Sequence, residues 1–142
     1  VDTSNSLNDD SYCFACGTRN PIGLGMRVEY APDRAFCRIV LSKHFQGWSE
    51  IAHGGIVSTL LDEIMAHAVF HHAGKALTAR LNIRFRSMAP IGKPLDVSGW
   101  IDQRKKRVIE AKGEIRLSED KSLVAQGESR FLLTGDLHAA AR

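Results

Sequence analysis

This chain reads as an α+β domain, an antiparallel sheet wrapped around one long central helix. Three observations carry that expectation. Residues 54–72 repeat apolar side chains at helical spacing, with Ile56, Leu60, Ile64 and Ala68 joined by Val57, Leu61 and Met65. Residues 78–133 alternate apolar and polar side chains in four segments, the period-two signature of strands. Two shorter alternating segments precede the helix. The order strand, strand, helix and then a four-strand meander gives a sheet with one apolar face, which the helix can cover.

The elements follow in order. Residues 1–10 are polar and turn-rich, and 1–11 and 135–142 are expected as flexible tails of a single domain spanning 1–142. Asn20-Pro21-Ile22-Gly23 is a turn. Met26, Val28 and Tyr30 alternate with Arg27 and Glu29 as a first strand. A turn at Ala31-Pro32-Asp33 returns the chain along 36–41, making a hairpin. Residues 42–52 form an aromatic-containing loop with Phe45, Gln46 and Trp48, and Trp48 can line a pocket or lid the core. The helix runs from Gly54 to His72, with Gly74 as its stop. Its apolar arc is wide, so it is expected to be mostly buried. In the next segment Ala79, Leu81, Ile83 and Phe85 face one way, and Thr78, Arg80, Asn82, Arg84 and Arg86 the other. Strands over 95–101, 109–117 and 125–133 follow, with 102–107 as a charged connection and 118–121 as a turn.

Composition excludes several classes. A length of 142 residues suffices for one core without disulfides or metal. The net charge of +3 is too small to argue for bulk nucleic-acid binding. No apolar run approaches the ~20 residues of a membrane span, and the first residues do not read as a signal peptide. Cys13 and Cys16 form a C-x-x-C pair and Cys37 stands apart, an odd count that fits a reducing, cytoplasmic setting. No two further ligands follow the pair at zinc-knuckle spacing, and Pro21 interrupts the helix a redox pair would want, so it is expected to be structural. His67 and His71 have helical ligand spacing but no H-E-x-x-H pattern, so no metal is expected.

The most informative stretch is residues 53–63. It sets His53, Gly54 and Gly55 at the mouth of an apolar helix and Asp62 inside it. A helix mouth offers unpaired N–H groups that can hold a developing negative charge, and glycine admits a close carbonyl. A carboxylate in an apolar wall can act as base or nucleophile. The bland alternatives are a paired structural carboxylate for Asp62 and a tight helix start for Gly54-Gly55. His53 is either a second base or substrate orienter, or a structural residue donating a ring proton to a loop carbonyl. Glu63 points to another side of the helix and is expected to be structural or interfacial. Gly54 and Asp62 stand eight residues apart, about 12 Å at ~1.5 Å rise per residue. One carbonyl spans that gap poorly, so a homodimer with Gly54 of one subunit facing Asp62 of the other is expected. Arg104, Lys105, Lys106 and Arg107 form the densest basic run, either a grip for phosphates or a solvated turn. Aromatics do not interleave with these charges, which disfavours nucleic acid.

Together His53-Gly54-Gly55 with Leu60 and Asp62, the early Cys13-Phe14-Ala15-Cys16-Gly17 with Asn20-Pro21-Ile22-Gly23-Leu24, and Thr78-Ala79-Arg80-Leu81-Asn82-Ile83 resemble the hotdog-fold acyl-CoA thioesterases of the phenylacetate-pathway and THEM-like branch. The resemblance covers about 13–133. It implies Asp62 as the catalytic carboxylate, Gly54 as the N–H donor to the thioester carbonyl, His53 beside it, and Thr78 holding the attacking water or the aspartate. Several relatives carry a loop amide before His-Gly-Gly. Simple counting places Gly47 there, with Gln46 adjacent. Apart from the resemblance, Gly55, Trp48, Arg80, Asn82, Arg104, Lys105, Lys106 and Arg107 are the candidate substrate-binding residues. The expected activity is hydrolysis of acyl-CoA to free acid and CoA, with no cofactor, metal, nucleic acid or membrane partner, in a homodimer or dimer of dimers. A non-catalytic acyl-CoA-binding domain and an enoyl-CoA hydratase or dehydratase are the alternatives.

Overall fold

A computed structural model describes residues 7–134. The expected tails at 1–6 and 135–142 lie outside the described residues. The remaining part of the first tail, residues 7–11, is hydrogen-bonded: the Ser11 N–H donates to Asp9 Oδ1 at 2.8 Å, and Lys75 Nζ donates to the Leu7 carbonyl at 2.9 Å.

The expected sheet around a central helix is present. Strands β1 (Glu29–Ala31) and β2 (Arg34–Val40) form the first hairpin, closed at Pro32-Asp33 with Ala31 opposite Arg34. A single 3-10 turn (Lys43–Phe45) leads to α1 (Gly54–His72), whose limits are those expected from its periodicity. Then come β3 (Ala76–Phe85), β4 (Pro94–Lys105), β5 (Val108–Leu117) and β6 (Leu123–Leu133). All pairings are antiparallel.

Four sequence expectations need correction. The last four strands are not one meander, because the order is β1-β2-β4-β5-β6-β3. β3 crosses to the far edge beside β6, and β2 takes the place beside β4. Pairing is a tertiary choice that alternation does not encode. The first strand begins at Glu29, not Met26, although Met26 is buried. The charged connection shrinks to Lys106-Arg107, since β4 runs through Lys105 and pairs it with Val108. Lys106 takes a left-handed φ of 56° to make that tight turn. Lastly, β3 does not alternate strictly. Thr78 pairs with Phe131 but Arg80 with Arg130, leaving Ala79 as an extra residue. This bulge turns Thr78 to the helix side, where strict alternation had placed it with Arg80 on the other.

The core lies between the helix and the inner face of the sheet. Leu60, Leu61, Ile64 and Met65 are fully buried, against Leu95, Val97, Ile109, Ile115 and Phe131. Each such side chain contributes about 1.5–3 kcal/mol, so burial rather than intrinsic propensity holds a helix with a Gly-Gly start. Gly99, Gly113 and Gly127 sit side by side on β4, β5 and β6. A Cβ on Gly99 would lie 3.0 Å from the Ile64 backbone, and one on Gly113 3.2 Å from Met65 Cγ. The bare row is therefore the seat that lets α1 approach the sheet closely. Among the described residues, no helix is long and apolar enough to cross a membrane.

Candidate active site

The mouth of α1 is fixed by its loop. The Ala52 N–H donates to Ala89 O at 2.8 Å and the His53 N–H to Phe45 O at 2.9 Å. Gln46 pairs with Ala52 across a short bridge, and its side-chain Oε1 accepts from the Glu50 N–H at 3.2 Å. Gly47 packs on His53, where a Cβ would lie 3.3 Å from the His53 Cα. The adjacent Gln46 amide is thus engaged as an acceptor inside its own loop, with its N–H2 group left as donor.

His53 is the helix N-cap. Its Nδ1 accepts from the Gly55 N–H at 2.9 Å, so its other ring nitrogen carries the proton in the neutral form. The Gly55 amide is therefore consumed by the cap. The His53 carbonyl accepts from the Ile56 and Val57 N–H groups at 2.9 and 3.1 Å. The Gly54 N–H has no acceptor among the described residues, and Gly54 is exposed. An unpartnered donor with the positive end of the helix dipole behind it is suited to a carbonyl oxygen gaining negative charge. Two clefts open on Gly54. One, of about 460 Å³, is lined by Gly47, Trp48, Ala52 and His53. The other, of about 280 Å³, is lined by Ile51, Val57, Phe85 and Met88 among others. Trp48 is 85% exposed there and does not lid the core.

Asp62 is half-buried two turns further along the helix. Thr78 Oγ1 donates to Asp62 Oδ1 at 2.8 Å. That contact exists because the Ala79 bulge turns Thr78 inward. Buried Ser129 secures the bulge, donating its hydroxyl to the Arg80 carbonyl at 3.0 Å. Burial pushes the Asp62 carboxyl above its ordinary value, the Thr78 hydrogen bond opposes that, and the nearby Glu63 charge adds to it. A carboxylate made more basic in this way accepts a proton more readily.

Not every candidate converges. Arg80 and Asn82 pair with Arg130 and Glu128 on the face of the sheet away from α1, so neither approaches Asp62 or Gly54 of its own chain. Gly54 packs near Phe85 at one end of β3, and Asp62 contacts Thr78 near the other, the two helix residues being separated by a rise of about 12 Å at ~1.5 Å per residue. The hairpin of Arg104, Lys105, Lys106 and Arg107 is exposed at the Thr78 end, since Val108 pairs with Leu132 and Leu132 with Leu77. Within one chain the acid and the basic hairpin share an end, and the open Gly54 amide lies at the other. Sequence reasoning missed Ser129 and the bulge. A hydroxyl in an otherwise apolar inward row of β6 was the available signal.

The Thioesterase superfamily profile matches residues 50–124. The chain is 26% identical over 114 residues to acyl-coenzyme A thioesterase THEM4 of Rattus norvegicus, covering 78% of this chain and 49% of that protein. It is 24% identical over 102 residues to acyl-coenzyme A thioesterase 13 of Mus musculus, covering 70% and 73%. It therefore spans about half the length of the THEM4 protein it matches. A crystal structure of a thioesterase superfamily protein superposes with a TM-score of 0.79 at 25% identity, covering 83% of this chain and 61% of that one. The sheet wrapped on its helix is the hotdog fold.

Proposed function

The chain belongs to the thioesterase superfamily, and from that premise we propose that it hydrolyses acyl-CoA thioesters to the free acid and CoA. The observation that carries this reading is Asp62, a half-buried carboxyl made more basic by burial and held by Thr78. In the proposed reaction Asp62 takes a proton from water, and the water oxygen bonds to the thioester carbon. The carbonyl oxygen becomes an oxyanion that accepts the free Gly54 N–H. The C–S bond then breaks, and the CoA thiolate leaves and is protonated. Direct attack by Asp62, through a mixed anhydride, uses the same groups.

A homodimer completes the site in this proposal, with Gly54 of one protomer meeting Asp62 of its partner. The rise of about 12 Å along α1 between Gly54 and Asp62 within one chain supports this. So does the β3 edge, which is ten residues long and presents partly exposed Leu81 and Phe85. The basic hairpin 104–107 and His53 would then serve CoA binding and orientation.

The test is thiol release from a panel of aliphatic and arylacetyl CoA esters, with enoyl-CoA hydration measured in parallel. Asp62→Asn should lower turnover about 10²- to 10⁴-fold. Gly54→Ala adds a Cβ whose nearest intrachain neighbour is the Phe85 ring at 3.6 Å, an ordinary contact. A loss of turnover in that folded variant therefore reports on approach of the substrate. Acyl-CoA binding with turnover indifferent to Asp62 would replace hydrolysis with the non-catalytic alternative.

A further inference from the structure

The early C-x-x-C pair acquires a ligand that its flanking sequence lacks. Residues 13–17 close into a knuckle: the Gly17 N–H donates to Cys13 O at 2.8 Å, and the Cys16 N–H points to Cys13 Sγ at 3.5 Å. A Cβ on Gly17 would lie 2.4 Å from the Cys13 nitrogen, so the turn tolerates only glycine. The Leu24 and Met26 N–H groups, donating to Phe14 and Ala15 carbonyls at 2.8 and 2.9 Å, brace the knuckle from the following segment. Glu63 reaches this knuckle from the middle of α1. Its Oε2 lies 3.4 Å from Cys13 Sγ, and the ligand atoms of Cys13, Cys16 and Glu63 all fall within 4.8 Å of one another. Tetrahedral zinc with bonds of ~2.3 Å to sulfur and ~2.0 Å to oxygen needs ligand separations of about 3.5–3.8 Å, which small side-chain adjustments reach.

We propose that Cys13, Cys16 and Glu63 bind one zinc-class divalent cation, which fastens the N-terminal segment to α1 beside Asp62. Two thiolates and a carboxylate select zinc over magnesium or calcium, and two sulfurs are too few for an iron–sulfur cluster. Binding releases both thiol protons to solvent as the sulfur–metal bonds form, with no change of oxidation state. A fourth tetrahedral position remains for water. The surroundings fit a ligating carboxylate. His67 Nε2 lies 3.1 Å from Glu63 Oε2, and because a carboxylate only accepts, that nitrogen carries the proton. His67 Nδ1 then accepts from the Tyr30 hydroxyl at 2.7 Å. This Tyr30–His67–Glu63 chain orients the carboxylate as outer-shell partners do.

The experiment needs no catalytic readout and stands apart from hydrolysis. The full chain is purified without chelator, its metal is measured by elemental analysis, and the apo form is titrated with Co²⁺ while sulfur-to-cobalt charge transfer is followed. About one zinc per chain and a charge-transfer band support the site. Both are lost in the Cys13→Ala/Cys16→Ala double variant. If that variant does not fold, Glu63→Gln carries the test through loss of stoichiometric zinc. His67→Ala weakens affinity about 10- to 100-fold while keeping the band. A metal-free protein with no Co²⁺ band overturns the proposal. So does metal retained in the double variant, or a Cys13–Cys16 disulfide seen as a mass loss of two hydrogens.

Discussion

Replacing Thr78 with valine removes one hydroxyl and keeps the shape of the side chain. The lost contact is the 2.8 Å hydrogen bond to Asp62 Oδ1. A hydrogen bond to an ionised group contributes about 1.5–3 kcal/mol. A neutral carboxyl still accepts such a bond, at about 0.5–1.5 kcal/mol, so only the difference of ~1–1.5 kcal/mol favours the carboxylate, and at ~1.4 kcal/mol per factor of ten the variant disfavours the ionised form roughly 10-fold. If Asp62 is the base, the acid limb of kcat/KM moves to higher pH, because burial then acts on the carboxyl without Thr78 to oppose it. The assay is thiol release from an acyl-CoA ester across the acidic to neutral range, with Thr78→Ser as the rescue that restores the donor. A Thr78→Val profile that falls uniformly at every pH, with its acid limb in place, would refute the assignment.

Three further outcomes are expected. Asp62 binds its proton more tightly in the native state than in the unfolded chain, because burial raises its pKa. Its charge therefore destabilises the fold at neutral pH, and this cost fades as pH falls through the native pKa toward the unfolded ~3.9. Asp62→Asn should raise Tm at pH 7 and lose that advantage in acid; an unchanged Tm at pH 7 contradicts it. Asp96 has the opposite sign: hydrogen bonds led by Arg38, with Lys121 and Ser118, outweigh partial burial and hold its carboxyl down to about 2. Its stabilisation is complete above ~3.9 and is lost as pH falls toward about 2, so Asp96→Asn should flatten that part of an acid-unfolding curve. Gly99→Ala should cost about 1–3 kcal/mol in urea unfolding, because its Cβ meets the Ile64 backbone at 3.0 Å. Gly127→Ala should cost less, because its Cβ meets the flexible tips of Ile83 and Met65 at 3.1 Å; equal losses would contradict the difference.

The legible parts of this molecule were those set by local periodicity. The limits of α1 and the inward rows of β4, β5 and β6 follow from apolar spacing, because one face of each is buried. The position of β3 beside β6 was not legible, since alternation fixes which face of a strand is covered and not which strand it joins. Nor was the Ala79 bulge, which depends on how β3 is seated against Ser129 and α1. Thr78 was picked out only through a family resemblance, and alternation alone had turned it away from Asp62. The Cys13–Glu63 contact joins residues 50 positions apart, beyond any spacing motif. The role of His53 was half visible: a side chain bonded within its own loop was one of its readings, but the ring accepts from Gly55 rather than donating to a carbonyl.

The glycine row under α1 bears on where this fold can vary. With no side chain at Gly99, strand main chain meets helix main chain directly, while Gly113 and Gly127 leave room for the Leu61 and Met65 side chains, so the helix sits close to the sheet. Leu61 and Met65 rest on that bare floor, so the acid between them is carried like a tooth on a rigid bar. A lift of about 1 Å would stretch its bond to Thr78 past useful range, and misplacements of that size can lower rates ~10²-fold. Diversification of substrate preference is therefore channelled to the rim, at positions such as Trp48, Phe70 and Met88, where a new side chain leaves the bar at its height.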